Sequence, residues 1–343
     1  MSRNATRLLA RVAGGLWQGS STAANAAPSM LAAGRSARNG MLMQAARAMS
    51  YGAASTAAAS DPLKPKMMCF QCEQTANGTG CTVIGQCGKT PEVAGLQDLL
   101  VFSLKGLGAL AHHARTTAGI VDPDIDSFCL RASFSTLTNV NFDDQRIAEY
   151  IQEALAHHAR LSAKLKAGGH PLPTVPEGVT FFEPATGHPL SWNTLHAESK
   201  DLTAADLLAI SKSTGILSRQ AALGKTVAGL QELVMYGLKG VAAYAAHAEA
   251  LGGRDPAVYA AVQKTLHFLA SPDAADVGKL LQQALDLGTT NFRVMQLLSE
   301  SHCSTFGNPE PTEVPMVPRP GKAILITGHD MHDLHELLKQ TEG

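Results

Sequence analysis

Four of the chain's six cysteines crowd into nineteen residues: Cys69, Cys72, Cys81 and Cys87, spaced C-x2-C-x8-C-x5-C. Thiolate sulfur is the natural donor to iron–sulfur clusters and to zinc. Four sulfurs can surround one centre only if the backbone curls tightly. Gly78, Gly80, Gly85 and Gly88 are interleaved where such curling needs positive φ angles. Zinc sites more often pair two tight knuckles, whereas here one C-x2-C is followed by two single cysteines. The spacing favours an iron–sulfur cluster and leaves zinc open as the second reading. Six cysteines in 343 residues are too sparse for a disulfide scaffold.

His329 is the other residue with chemistry in its setting. It follows the apolar run Ala323–Thr327 in Gly328-His329-Asp330, at the carboxyl end of an expected strand, where α/β sheets bind their ligands. Imidazole is a competent iron ligand, and Asp330 is a candidate supporting carboxylate. Taken alone, a histidine at a strand end is more often structural. Cys129 and Cys303 stand apart in apolar surroundings and read as core packing. The pairs His112-His113 and His157-His158 read as cap or surface residues, because neighbours on a helix point about 100° apart.

The elements that must position these residues are helical. Pro91 opens an expected helix to about residue 117, with Leu96, Leu99, Leu100, Leu104, Leu107 and Leu110 at helical spacing. A second starts after Asn141 or Asp143 and ends at Gly168-Gly169. Residues 170–192 are proline-rich and loop-like. Further helices are expected at about 203–213, 219–251, 256–270, 274–287 and 290–303. Five prolines between Pro309 and Pro320 mark a linker. Beyond it come a short buried strand, 323–327, and a helix, 330–340, which together would open an α/β unit. Residues 96–114 align without a gap to 230–248, with ten identities in nineteen, which suggests two related helical units packed together.

Residues 1–60 differ from the rest. They contain no Asp or Glu but six arginines, and the chain from Asp61 onward carries 22 basic against 29 acidic residues, net −7. An Arg-rich, Ser-containing, acid-free start is the composition of an organelle transit peptide without a fold of its own, mitochondrial first and plastid second. An organelle matrix is reducing, so disulfides are not the default. The overall charge of −1 gives no case for nucleic acid. No apolar run reaches the roughly 18–20 residues of a membrane span, so none is expected.

From residue 67 on, the sequence resembles the hybrid cluster protein (prismane) family, whose members carry the name hydroxylamine reductase. The resemblance rests on CFQCEQT at 69–75, QCGKTPE at 86–92, LQDLL at 96–100, FSTLTNVNFD at 134–143, YGLKGVAAY at 236–244 and ITGHDMHDLHELLKQTEG at 326–343. It implies a mainly α fold here: an N-terminal helical domain (61–308) of two three-helix bundles, a Pro-rich linker (309–320), and the first strand and helix of a Rossmann-like α/β domain (321–343). Cys69, Cys72, Cys81 and Cys87 would be the ligands of a 4Fe–4S cluster, in the family subgroup with this spacing. His329 would be a ligand of the hybrid iron–sulfur–oxygen cluster, the catalytic centre. The family's fold is also similar to the nickel-dependent carbon monoxide dehydrogenase catalytic subunit, but the N-terminal motif favours the prismane side.

The same resemblance implies reduction of hydroxylamine to ammonia and water, with nitric oxide reduction to nitrous oxide as the nearest variant. A ferredoxin- or NADH-reductase-like partner would supply electrons. The family's remaining hybrid-cluster ligands would follow Gly343, so the chain is expected to be truncated, with residues 321–343 poorly packed or resting on the helical domain. The rival readings are a non-catalytic isoform serving only as a 4Fe–4S electron-transfer module and, more weakly, a zinc-stabilised helical interaction protein.

Overall fold

Proline placed one residue after a side-chain cap starts three of the helices. A computed structural model describes residues 66–173, 181–182, 189–190, 204–328 and 330–342. Residues 1–60, where a transit peptide is expected, and His329 lie outside the described residues. Helix α1 is Pro91–Thr117, capped by the Thr90 hydroxyl on the Val93 amide at 3.3 Å. Helix α2 is Pro123–Ser135, capped by Asp122, and α3 is Asp144–Ala167, capped by Asp143. After a two-residue antiparallel pairing of β1, Phe181–Phe182, with β2, Pro189–Leu190, come α4 (Ala204–Thr214) and α5 (Ile216–Ala250). Helix α5 is interrupted at Gly224, whose φ of +80° breaks the ladder. Then follow α6 (Pro256–Ala270), capped by Asp255, α7 (Val277–Phe306), capped by Asp276, and α8 (Met331–Gln340), capped by Asp330.

The fold is mainly α, and its contacts repeat the internal sequence echo. Helix α1 packs against α3 and α6, as α5 packs against α7 and α2. The unit α1–α2–α3 is thus answered by α5–α6–α7, two three-helix sets exchanging their short middle helices. One continuous core fills them, with Leu99, Leu100, Leu104 and Leu107 of α1 sharing it with Phe128, Ile147 and Ile151. Each such side chain buried is worth about 1.5–3 kcal/mol. Gly108 is required at the α1–α6 contact, because a Cβ there would collide with Leu266. The ends of the two long helices are tied alike. Arg115 of α1 bonds Asp126 of α2 at 2.7 Å and Gln263 of α6 at 3.1 Å. Glu249 of α5 accepts from Ser127 of α2 at 2.6 Å and Tyr259 of α6 at 2.9 Å.

Four sequence expectations need correction. Helix α2 is not among the expected helices, although Asp122-Pro123 repeats the Asp255-Pro256 start. The two helices expected at 274–287 and 290–303 are one, α7. The Gly288-Thr289-Thr290 step reads as a break, but both threonine hydroxyls bond back to carbonyls four residues earlier, at 3.4 and 3.2 Å, and the helix continues. No strand forms at 323–327: a strand needs a ladder neighbour, and none is present there among the described residues, so Ile324 and Leu325 stand exposed. The Rossmann-like start is therefore not formed as such. Helix α8 does form, and its His335 ring meets Phe306 of α7 edge-on at 5.7 Å. Finally, α1 does contain an 18-residue window of mean hydropathy 1.4, apolar enough to cross a bilayer, but 83% of that window is buried inside the protein, as a core helix requires.

Candidate metal centre

The cysteine loop is curled by its own backbone. Cys69 and Cys81 face each other as an antiparallel bridge, each amide bonding the other's carbonyl at 3.1 and 2.8 Å. Between them the chain reverses through Asn77 (φ 55°) and Gly78 (φ 67°). The Thr75 hydroxyl donates to the Cys69 carbonyl at 3.0 Å and lies 3.8 Å from the Cys81 sulfur. Gly80 passes so close to Met68 that a Cβ would come within 2.9 Å of its sulfur. A second turn runs from Gly85 to Lys89, with the Gly85 amide on the Lys89 carbonyl at 2.8 Å and the Gly88 amide on the Gly85 carbonyl at 2.9 Å. A Cβ on Gly85 would sit 3.0 Å from the Cys87 sulfur, so the absent side chain leaves that sulfur its room. The loop's floor is a small apolar cluster of Met67, Cys81 and Ala94, the last from α1.

Electrostatics distinguish the two bridged sulfurs. Burial pushes the Cys69 thiol up, and Lys89, the Gln71 amide and Lys239 oppose it. Burial also acts on Cys81, but hydrogen bonds from the Ala76 and Gln86 backbone, with the Thr75 hydroxyl, outweigh it and hold that thiol below its ordinary range. Amide donors of this kind stabilise sulfur that carries negative charge.

All four loop cysteines are free. Cys69 and Cys81 are brought together by the bridge, while Cys72 and Cys87 lie on the turns leaving it. Among the described residues, no group of three or more Cys, His, Asp or Glu is gathered as a metal site. What fits a metal group is the donor chemistry: four free thiols, amide donors to sulfur, and a glycine cradle at Cys87. Cys129 is fully buried, its thiol pushed up by that burial, as core packing requires. Cys303 is only partly buried, near the α7 end, so the core reading does not hold for it. The histidine pairs pack as neighbours of the core: His112 stacks on His267 at 4.9 Å, His113 bonds the Pro171 carbonyl at 2.9 Å, and His157 lies 4.9 Å from the Phe128 ring.

Sequence reasoning missed a buried polar chamber behind this loop. Lys89, Lys105, Arg219, Glu232 and Lys239 are each more than nine-tenths buried. Arg219 and Glu232 form an ion pair at 2.5 Å. Part of the signal was present in the sequence: Lys105 and Lys239 stand at matching positions of the two echoed apolar segments, as Glu232 does with Asp98, whereas Lys89 and Arg219 lie outside them.

The profile described as Prismane/CO dehydrogenase family matches residues 67–343. Among curated proteins, the hydroxylamine reductase of Rhodospirillum rubrum is 43% identical over 277 residues, covering 81% of this chain and 48% of that protein. Those of Methanocella arvoryzae (42% over 279 residues) and Escherichia coli (41% over 292 residues) each cover 81% of this chain and 48% of their own length. The chain spans about half the length of the curated relatives it matches.

Proposed function

The chain belongs to the prismane/CO dehydrogenase family, and we propose that it is an iron–sulfur oxidoreductase acting on small nitrogen oxides. Cys69, Cys72, Cys81 and Cys87 would hold a 4Fe–4S cluster, which supplies one-electron storage when bound. The observation that carries this reading is the four-thiol loop itself, inside the family match, with backbone amide donors turned to the Cys81 sulfur. Relatives named hydroxylamine reductase suggest the substrate: hydroxylamine takes two electrons and two protons, its N–O bond breaks, and ammonia and water leave. Reduction of nitric oxide to nitrous oxide is the same class of chemistry.

The chain's own residues contribute three things to such a reaction. The loop backbone fixes the sulfurs and gives Cys81 its donors. Lys89 and Lys239 place positive charge near Cys69, which favours added electrons. Helix α1, entered directly from the loop through Thr90-Pro91, anchors the whole to the core. His329 is proposed as an iron ligand of the hybrid iron–sulfur–oxygen cluster, with Asp330 supporting it. The electron donor would be a ferredoxin- or NADH-reductase-like protein. Residues 1–60 are proposed as the organelle address, mitochondrial first; a fusion to a fluorescent protein that stays in the cytosol would reject that.

The test couples the anaerobically purified full chain to reduced viologen. Ammonia formed in step with viologen oxidation, one ammonia for two electrons, supports hydroxylamine reduction. An iron-loaded chain that accepts electrons but leaves hydroxylamine unchanged assigns it instead the role of an electron-transfer module.

A further inference from the structure

Two core helices each carry one carboxylate and one lysine in a run that is largely apolar. The alignment of 96–114 with 230–248 places Asp98 of α1 over Glu232 of α5, Val101 over Met235, and Lys105 over Lys239. These six residues line one cavity, of about 10 Å3, room for a single water. Charge in such a place is costly unless paired, and the chain has put it there twice.

The two halves are not equivalent. On α5, Glu232 is paired with Arg219 at 2.5 Å, and Lys239 donates to the Thr136 carbonyl at 3.2 Å. On α1, Asp98 makes no ion pair among the described residues. The Arg219 Nε, also buried at the cavity wall, has no hydrogen-bond partner among the described residues. The chamber is joined to the cysteine loop at one atom: Gln71, between Cys69 and Cys72, donates through Nε2 to the same Thr136 carbonyl at 3.3 Å. A phenylalanine of the loop also reaches α5, Phe70 meeting Tyr236 edge-on at 5.9 Å.

We propose that this chamber is a proton-exchange site coupled to the charge of the cysteine loop, with Asp98 and Lys105 as the exchanging half and Glu232, Arg219 and Lys239 as the fixed half. The proposal rests on the cluster reading above. One electron from a one-electron donor is added to the group held by the four sulfurs, and one proton from solvent is added to Asp98 or Lys105. Reoxidation returns both.

The environment separates the two carboxylates, as acid–base pairs require. Burial, then the nearby Glu232, pushes Asp98 up to about 6. Burial works against Glu232 too, but Arg219 and Lys239 hold it below the usual carboxylate range. Burial and Arg219 bring Lys105 down to about 7. The other charged or titratable groups facing the chamber are Lys239, lowered to about 8 by burial, the Tyr236 phenol, raised by burial, and Lys89 from the loop. Negative charge arriving at the loop raises the proton affinity of Asp98 and Lys105 alike. Reduction is then favoured by acid, and the potential falls as pH rises from about 6.

The experiment is a set of redox titrations of the anaerobic, iron-loaded full chain between about pH 5.5 and 8.5, a window that brackets both exchanging groups, followed by electron paramagnetic resonance. The wild-type midpoint is expected to fall by about 59 mV per pH unit above pH 6, the tenfold change in proton activity expressed for one electron. Asp98→Asn and Lys105→Met are expected to flatten that slope while keeping the resonance. A flat wild-type line, which needs no variant, or an unchanged slope in both variants would overturn the proposal and leave the cluster reading standing. A preparation without iron would overturn both.

Discussion

Replacing Arg219 with methionine should cost the fold about 3 kcal/mol at pH 8 and much less at pH 5. Arg219 and Glu232 meet at 2.5 Å with only 6% and 7% of their side chains exposed, so removing the guanidinium leaves a carboxylate in the core. Breaking a buried pair from one side costs about 3–5 kcal/mol. The lower end applies because Lys239 and Lys105 still act on Glu232. For a domain of this size class that is a loss of about 6–12 °C in Tm, at roughly 2–4 °C per kcal/mol. The pH dependence gives the sharper check. In the wild type the Glu232 carboxyl is held low, so its contribution is present above the unfolded carboxylate range and is lost as pH falls through the lower, folded value. Without Arg219, burial would raise it instead, and the variant would lose stability as pH rises. The gap between the two proteins must therefore widen from pH 5 to pH 8 in thermal melts followed by far-ultraviolet circular dichroism. A gap under about 1 kcal/mol, or one independent of pH, would mean that Arg219 is not what keeps Glu232 ionised in the core.

Three further outcomes follow from the geometry. Gly108→Ala gains about 1 kcal/mol of helix propensity but forces α1 from Leu266, and overpacking of this kind costs about 1–3 kcal/mol or more; a lower denaturation midpoint is expected, and an unchanged one would speak against so close a contact. Gly85→Ala places a methyl 3.0 Å from the Cys87 sulfur, so iron content per chain should fall while helicity is kept; Gly240→Ala, with open space around it, should change neither. Phe128→Ala, at a fully buried ring, should cost about 3–5 kcal/mol in urea titration, and a loss under about 1 kcal/mol would mean that α2 is not held by this core.

The long helices are legible in the sequence because their starts and faces are written locally. Thr90-Pro91, Asp143 and Asp255-Pro256 supply caps, and the leucines of α1 supply an apolar face. The echo of 96–114 in 230–248 likewise announces the two matching helical sets, α1–α3 and α5–α7, though not the exchange of their middle helices. Other features depend on partners distant in sequence. Whether 323–327 becomes a strand is decided by a ladder neighbour, not by Ile324 and Leu325 themselves. The cysteine spacing announces a sulfur site, but the Cys69–Cys81 bridge arises from backbone pairing that no spacing rule specifies. By type alone Asp98 and Lys105 belong on the outer face of a helix; only the packing of α5 against the same cavity turns them inward.

If the loop from Cys69 to Cys87 binds an iron–sulfur cluster rather than zinc, metal and acid-labile sulfide analysis of the full chain, purified without oxygen, will register it directly. About four irons and four sulfides per chain are expected, lost together in Cys72→Ser and kept in Cys129→Ser. One zinc per chain with no labile sulfide would exclude the cluster.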